Sequence, residues 1–248
     1  MRVLTAVCLL LLTALPAIAQ QPGGAGRFRV QLTAYQQSSI ASEIAANISS
    51  LPLKEGAPFA EGDLLVKFDC SIIEAQLRKA EAMAESARST LNVNKRLSAL
   101  NALSSLELEQ SVAKAKEAEA ELSVMQVTAS KCSIKAPFSG RVVKLQADPH
   151  QYVTPGKPLI DIVDTSRLEV KMIVPSRWMA WLKPGARFSV QIEEAGGRSY
   201  PAQVVRVGAR IDALSQTALV VGEIDGKHAE LLPGMSGWAT FDSRGTPK

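Results

Sequence analysis

The feature that most constrains the fold is a run of about sixty residues, Ser71–Ser130, which contains neither proline nor glycine. Alanine, glutamate, leucine, lysine and serine dominate this run. Its apolar residues recur at spacings of three and four, and they are Ile73, Leu77, Ala80, Ala84, Ala87, Leu91 and, after a polar break at 95–105, Leu108, Val112, Ala115, Ala118, Leu122, Met125 and Ala129. Such a stripe is typical of helices that pack along a coiled-coil seam.

The length of the run favours two projecting helices over two core helices. At ~1.5 Å per residue, each arm of roughly 28 residues would be about 40 Å long. A core helix rarely exceeds ~20 residues, and this stripe is too narrow for burial on several sides. We therefore predict an antiparallel coiled-coil hairpin over residues 71–130.

The N-terminus predicts export. Arg2 precedes an apolar run, Val3–Leu12, and Ala17 and Ala19 form an A-x-A cleavage signal before Gln20. Residues 1–19 are therefore interpreted as a signal peptide, too short for a comfortable membrane span. No cysteine follows the cleavage point, so we expect a periplasmic protein without a lipid anchor. Residues 20–27 are interpreted as a flexible leader, and residues 242–248 as a tail.

Composition argues against nucleic-acid binding and against catalysis. The formal net charge is only +4 and no dense lysine and arginine patch occurs, so no nucleic-acid partner is expected. His150 and His228 are the only histidines, and neither has cysteines or carboxylates at zinc-like spacing. Nucleophile elbows, phosphate loops and paired-carboxylate clefts are not recognisable. We expect no enzyme, no metal, no cofactor and no catalytic residue.

Two cysteines flank the predicted hairpin. Cys8 belongs to the signal peptide, which leaves Cys70 and Cys132, one at each end of the helical run. Antiparallel helices would bring these two residues together, and an oxidising compartment would allow a disulfide. The alternative is a pair of buried thiols that do not touch, and the sequence does not decide between the two.

A repeat surrounds the hairpin. Shifting the sequence by 94 positions aligns two segments without a gap, so that Ile48 matches Val142, Phe59 matches Val153, Gly62 matches Gly156, Leu65 matches Leu159 and Phe68 matches Ile162. Each glycine is expected to take a left-handed turn conformation between two short strands. Two half-units of this kind should pack against each other. We predict a β module split into residues 44–70 and 131–164.

The remaining segments predict a small antiparallel barrel. Short alternating patterns separated by turn signals recur after residue 164, at 168–174, 188–192, 205–211, 218–223 and 235–241. With a strand at 28–33 they make six strands, enough to close a barrel. We assign residues 28–43 to a barrel strand and its connection, and residues 165–241 to the barrel. Trp178 and Trp181 are expected to plug it.

Several of these segments resemble the periplasmic adaptor proteins, also called membrane fusion proteins. Ile134–Val142, Val153–Leu159 and Asp164–Leu168 are similar to the second half-motif of their lipoyl-like domain, and Lys54–Leu65 is similar to the first. Ala46 departs from the pattern, which usually has a glycine there. The resemblance implies a multidomain α+β fold, with a split lipoyl-like module, an inserted hairpin and a β-barrel, and no room for a membrane-proximal domain.

The resemblance also implies a function. In the family, the hairpin tip docks onto an outer-membrane channel, the other end engages an inner-membrane transporter, and several copies form a ring. The family tip has an arginine, a leucine four residues later and a serine seven residues after that. Arg96 and Leu100 match, whereas Ser104 follows Leu100 by four residues. Either the tip turn is shorter here or one match is accidental.

The resemblance leaves three functions open. The first is an adaptor of a resistance-nodulation-division (RND) efflux pump that helps to move small molecules across the envelope. The second is an adaptor of an ABC-type exporter. The third is a free-standing periplasmic protein that binds or delivers a ligand.

Overall fold

A computed structural model describes residues 26–226 and 228–241 of the 248-residue chain. The predicted signal peptide, most of the predicted leader and the predicted tail lie outside the described residues. The strands of the described part are β1 (Arg27–Ala34), β2 (Gln37–Ala41), β3 (Ala46–Ser50), β4 (Pro58–Phe59), β5 (Leu64–Phe68), β6 (Ser133–Lys135), β7 (Gly140–Leu145), β8 (Tyr152–Val153), β9 (Pro158–Val163), β10 (Leu168–Pro175), β11 (Arg187–Ile192), β12 (Ser199–Asp212), β13 (Thr217–Ile224) and β14 (Ser236–Phe241).

The glycine- and proline-free run forms the predicted hairpin. Helix α1 spans Ser71–Ala99 and helix α2 spans Ser105–Ser130, so the polar break shrinks to a loop of five residues. The fully buried hairpin residues are all alanines from the predicted stripe, namely Ala80, Ala84, Ala115 and Ala118. Methyl side chains at these positions let the two helices approach closely. Outside the seam, the Arg88 guanidinium contacts the Glu119 carboxylate at 3.1 Å.

The predicted repeat forms one module in which each of two sheets combines strands from both halves. One sheet has the order β2-β9-β7-β4 and the other β6-β5-β3-β8, so each contains strands from both sides of the hairpin. Ala46 pairs with Val153, and Phe59 pairs with Gly140. The apolar residues that the repeat aligned are all buried: Ile48, Phe59, Leu65, Phe68, Val142, Val153, Leu159 and Ile162. The prediction of two mutually packed half-motifs is confirmed.

The two repeat glycines behave as expected. Gly62 has φ of 87° and Gly156 has φ of 85°, both in the left-handed region that favours glycine. Gly140 is required for a different reason, because a Cβ atom there would lie 2.0 Å from the Val163 carbonyl oxygen. Its counterpart in the first copy, Ala46, is buried and holds its methyl group within the core.

The assignment of residues 28–43 to the barrel and a connection is wrong at Gln37–Ala41. This segment is β2, which pairs with β9 and therefore belongs to the split module. The repeat extends to it, since an offset of 94 relates residues 39–41 to β6. The segment escaped the sequence analysis because Ile40 is its only large apolar residue, and an edge strand with one neighbour needs little apolar alternation.

The six predicted barrel strands close in the order β1-β10-β13-β12-β11-β14, and neighbouring strands are antiparallel. A short 3-10 helix, Ser176–Ala180, follows β10 and inserts the buried Trp178 into one end. The Trp178 ring lies 4.6 Å from the Phe28 ring and 5.5 Å from the Phe241 ring, centroid to centroid. Trp178 is thus the plug that the sequence predicts, while Trp181 is only half-buried beside it.

The base of the hairpin is held by covalent and polar contacts. Of the two alternatives for the cysteines, the structure has the disulfide Cys70–Cys132, with Cα atoms 5.9 Å apart. The Phe68 amide donates to the Cys132 carbonyl at 2.9 Å. The Lys131 ammonium, just after α2, contacts the Glu43 carboxylate at 2.6 Å.

Among the described residues, no helix combines the length and the apolar composition needed to cross a membrane.

We predict that the split module and the barrel fold without the hairpin. The disulfide Cα atoms are 5.9 Å apart, a span that a short Gly/Ser turn bridges when it replaces residues 71–131. The excised protein should unfold cooperatively, as followed by circular dichroism during thermal denaturation. Loss of cooperative unfolding would contradict mutual packing of the two halves.

We predict that the exported protein carries the Cys70–Cys132 disulfide and depends on it. A crosslink with a sequence separation of 62 residues should stabilise the fold by roughly 2–4 kcal/mol. Intact mass with and without thiol alkylation tests the bond, and Cys70→Ser with Cys132→Ser tests its effect on stability. Two alkylated thiols in periplasmic material would show the prediction to be wrong.

Candidate functional site: the hairpin tip

The C-terminus of α1 is closed by its own backbone. Asn101 adopts φ of 55°, a left-handed conformation that asparagine tolerates better than most residues. The Asn101 amide donates to the Ser98 carbonyl, and the Ala102 amide donates to the Leu97 carbonyl, both at 2.9 Å. This pair of bonds is a Schellman motif, with asparagine where glycine is commonest. It reverses the chain immediately after Leu100.

The N-terminus of α2 is closed by a capping box. The Ser104 hydroxyl oxygen accepts from the Glu107 amide at 3.2 Å, and the Glu107 carboxylate accepts from the Ser104 amide at 3.2 Å. The Ser104 hydroxyl also donates to the Glu107 carboxylate at 2.8 Å. Side-chain and backbone hydrogen bonds from Ser104 lower the pKa of Glu107 below its ordinary value. Two orphan donors of the helix end are satisfied in this way.

The three predicted docking residues lie at the same end of the hairpin. Arg96 is in the last turn of α1, Leu100 caps α1 and Ser104 caps α2. The short spacing from Leu100 to Ser104 therefore reflects a tip turn with three residues between the two caps. Arg96 is exposed, and Leu100 is 75% exposed. Ser104 differs from them, because its hydroxyl already bonds within the turn.

Two features of the tip were missed by the sequence analysis. Leu106, in the first turn of α2, is 63% exposed, so the tip presents two leucines to solvent instead of one. Its position off the seam, two residues before Leu108, was the available signal. The Ser104-x-x-Glu107 spacing was a second readable signal, because it matches a capping box.

Arg96 is available for an external partner. Within residues 26–226 and 228–241, its guanidinium makes no ion pair and no side-chain hydrogen bond. Its charge lies in the last turn of a helix, where the backbone dipole favours a cation. A guanidinium also presents a planar fork of donors to carbonyl or carboxylate oxygens. The tip thus offers one cationic fork beside two apolar side chains.

The barrel interior is filled by protein. Side chains from all six strands fill it, among them Val30, Leu32, Val170, Val190, Val204, Val220 and Ala239, all 2% exposed or less. His150 is exposed, and the His228 ring packs against the core residue Tyr200 with centroids 4.8 Å apart. The described residues contain no cluster of three histidine, cysteine, aspartate or glutamate side chains suited to a metal ion.

Two family models match the chain. A model described as "RND MFP, alpha-helical hairpin domain" matches residues 70–136, and one described as "CusB-like, beta-barrel domain" matches residues 170–245. The matched ranges contain the whole hairpin and most of the barrel. The split module, which carries the repeat, lies on both sides of the hairpin.

Curated relatives are similar over most of this chain. The nodulation protein NolF of Rhizobium meliloti (strain 1021) is 28% identical over 233 residues, which is 88% of this chain and 64% of NolF. The solvent efflux pump periplasmic linker SrpA of Pseudomonas putida is 22% identical over 237 residues, 90% of this chain and 60% of SrpA. This chain therefore spans less than two thirds of the length of these relatives.

A solved structure has the same fold. A MacA–MexA chimeric protein containing the Pseudomonas aeruginosa MexA α-hairpin domain superimposes with a TM-score of 0.77 at 19% identity. The match covers 87% of this chain and 77% of the chimera. At this identity the likeness concerns the fold alone.

We predict that Ser104→Ala loosens the tip without affecting the rest of the hairpin. Loss of an N-cap serine typically costs ~1 kcal/mol of helix stability. The pKa of Glu107 should rise towards its ordinary value, because Ser104 no longer bonds the carboxylate. In the native protein the lowered pKa means that the stabilisation is present above the unfolded-state pKa and is lost as the pH falls through the folded-state pKa.

The measurement is an NMR titration of the Glu107 carboxyl together with amide exchange at the tip. Ser105→Ala is the matched control, since the neighbouring Ser105 is exposed and takes no part in the capping box. An unchanged Glu107 titration in Ser104→Ala would contradict the role of the capping box.

Proposed function

We propose that this chain, which carries the helical hairpin and the β-barrel of the membrane fusion protein family, is a periplasmic adaptor that links an inner-membrane transporter to an outer-membrane channel. The chain has a mechanical role in the movement of small molecules across the envelope and no catalytic role. An RND efflux pump is the preferred transporter, since the hairpin model belongs to RND adaptors and SrpA is described as an efflux pump linker.

The observation that carries the proposal is the exposed tip of a long, internally closed hairpin. Helix α1 has 29 residues, so it is about 43 Å long. The apolar seam is buried between α1 and α2. The far end of the hairpin therefore presents the apolar side chains of the tip to solvent. A ligand-binding protein without partners has no use for such an element.

The tip residues suit a protein partner of helical structure. Leu100 and Leu106 act as apolar knobs between the helices of a channel. The planar guanidinium of Arg96 donates hydrogen bonds to carbonyl or carboxylate oxygens of the same partner. Ser104 contributes a small surface that permits close approach, and its capping bonds hold the two leucines in place. The docking set is therefore Arg96, Leu100 and Ser104 with Leu106 added.

Ring formation by several copies is part of the proposal. Apolar side chains outside the seam remain more than half exposed along the hairpin, and they are Ile72, Met83, Val93, Val124 and Val127. Neighbouring copies in a homo-oligomer would cover these side chains. Burial of apolar area on this scale is a usual driving force for association.

Export to the periplasm agrees with the disulfide and with the A-x-A signal. A disulfide that closes the hairpin base persists in an oxidising compartment. The free-standing ligand-binding alternative is not favoured, because the barrel interior is filled by side chains.

We predict that Arg96→Asp combined with Leu100→Asp abolishes assembly and transport. The double variant places two negative charges on the proposed docking surface and removes one apolar knob. Because both positions are exposed, the change should shift stability by no more than ~0.5 kcal/mol per site. Secretion level, helix content and melting temperature should therefore stay nearly constant while activity is lost.

The measurement is efflux activity in a strain that lacks the native protein, with crosslinking to the outer-membrane channel. Arg78→Asp with Val143→Asp is the matched control, because it makes the same charge and polarity changes at exposed positions that lie away from the tip and outside the side chains assigned to the ring contact. Full activity of the tip variant, or equal loss in the control, would show that the tip is not the docking surface.

A further inference from the structure

Charged residues are divided between the two ends of the barrel. We call one end of the barrel the termini end, because it contains the start of β1 at Arg27 and the end of β14 at Phe241. Because neighbouring strands are antiparallel, the ends of β10 and β12 and the starts of β11 and β13 also lie there. The opposite end adjoins the split module, through the short links from β1 to β2 and from β9 to β10.

The termini end is basic. It carries five exposed cations, namely Arg27, Arg177, Lys183, Arg187 and Arg210. In the described part of the chain, none of the five makes an ion pair. Asp212 is the one acidic residue described at this end, and its carboxylate accepts from the Ser215 amide and hydroxyl, each at 2.8 Å. The surface charge at this end is therefore strongly positive.

The opposite end of the barrel is acidic by comparison. In the described part of its loops, Glu193, Glu194, Asp225 and Glu230 outnumber the basic residue Arg198 in the same loops. The charge is thus segregated along the barrel, although the whole chain has a formal net charge of only +4. Segregation of this kind directs one end towards an anionic partner.

An exposed apolar side chain lies at the basic end of the barrel. Leu214, in the turn between β12 and β13, is 97% exposed, and the nearby Ile211 is 50% exposed. The turn is held in place, because the Ser176 amide donates to the Gln216 carbonyl at 2.8 Å and so joins it to the 3-10 helix that plugs the barrel. The combination of cations with an exposed apolar side chain is also the one by which interfacial amphipathic helices bind a bilayer.

The exposed leucine favours a membrane over an acidic protein as the partner. Leu214 is 97% exposed at the same end of the barrel as the five cations. Basic residues are attracted to anionic headgroups, and an apolar side chain beside them can enter the interface between headgroups and acyl chains. An acidic protein surface would pair with the cations but would give Leu214 no apolar environment.

We infer that the termini end of the barrel binds the surface of an anionic phospholipid bilayer. The five cations lie against the headgroups, and Leu214 enters the interface between headgroups and acyl chains. Each basic residue near an anionic surface changes the affinity about fivefold. This contact goes beyond the proposed adaptor function and does not depend on it, because it would orient the barrel whether or not the hairpin tip docks.

Vesicle co-sedimentation of the protein recovered from the periplasm tests the inference. The probes are vesicles of phosphatidylglycerol mixed with phosphatidylethanolamine, and vesicles of phosphatidylcholine alone. We expect binding to the anionic vesicles that weakens as salt is raised, and little binding to the neutral ones. Equal binding to both kinds of vesicle, or binding to neither, would overturn the inference.

Two sets of variants assign the binding to this surface. Lys183→Glu with Arg210→Glu should weaken binding to the anionic vesicles at least tenfold, because two attractions become repulsions. Lys95→Glu with Lys116→Glu makes the same change of net charge on the exposed hairpin surface and should leave binding close to that of the native protein. Equal weakening by both pairs would mean that only net charge matters, which contradicts a defined surface.

Leu214→Asp provides a test that does not depend on the basic residues. It should weaken binding to anionic vesicles while leaving the melting temperature unchanged, since Leu214 makes almost no contact with the protein. Unchanged binding would show that Leu214 does not contact the bilayer, and would overturn the inference that it enters the interface. A failure here is distinguishable from a failure of the adaptor proposal, because the Arg96 and Leu100 variants act on the channel contact and not on vesicles.

Discussion

The rest of the structure depends on backbone pairing between two half-motifs that the hairpin separates along the chain. The decisive pairing is that of β5 with β6, in which Leu64 faces Lys135 and Lys67 faces Ser133. Because β5 leads into α1 and β6 follows α2, this pairing brings the two ends of the helical run together and makes the helices antiparallel. Closing so long a loop costs conformational entropy, but the cost grows only with the logarithm of length. Cys70 and Cys132 lie where that loop closes, so their bond acts on an already closed base.

The module and the barrel are coupled through two adjacent links. The Asp164 amide donates to the Gln36 carbonyl at 2.8 Å, and the Tyr35 amide donates to the Arg167 carbonyl at 3.2 Å. The chain therefore crosses between the two units in a pair of hydrogen-bonded segments instead of a single flexible linker. In an adaptor, such a connection would let the barrel support the hairpin base while the tip contacts a partner. The closed seam and the capped ends of both helices keep the tip residues in a defined arrangement.

The candidate site was predictable only in part, because its residues play different roles that the sequence does not separate. Arg96 and Leu100 were found from the resemblance, and both are exposed at the tip. Ser104 was assigned to docking, yet its hydroxyl bonds to Glu107 and closes α2. Leu106 was missed, because an apolar residue off the seam is read as incidental until its exposure is known. Gln37–Ala41 was missed because an edge strand needs few apolar residues, so no alternating apolar pattern marked it in the sequence.

The sequence by itself determined the local structure and the order of the units. A run without glycine or proline and with apolar residues at spacings of three and four can only be long paired helices, and the repeat at an offset of 94 specifies two similar half-motifs. Tertiary structure alone decided which strands of those halves pair, that the two cysteines are bonded, and that five scattered basic residues meet at one end of the barrel. These are contacts between residues far apart in the chain. No local periodicity encodes them, because they arise from how the closed barrel and the exchanged strands place distant segments side by side.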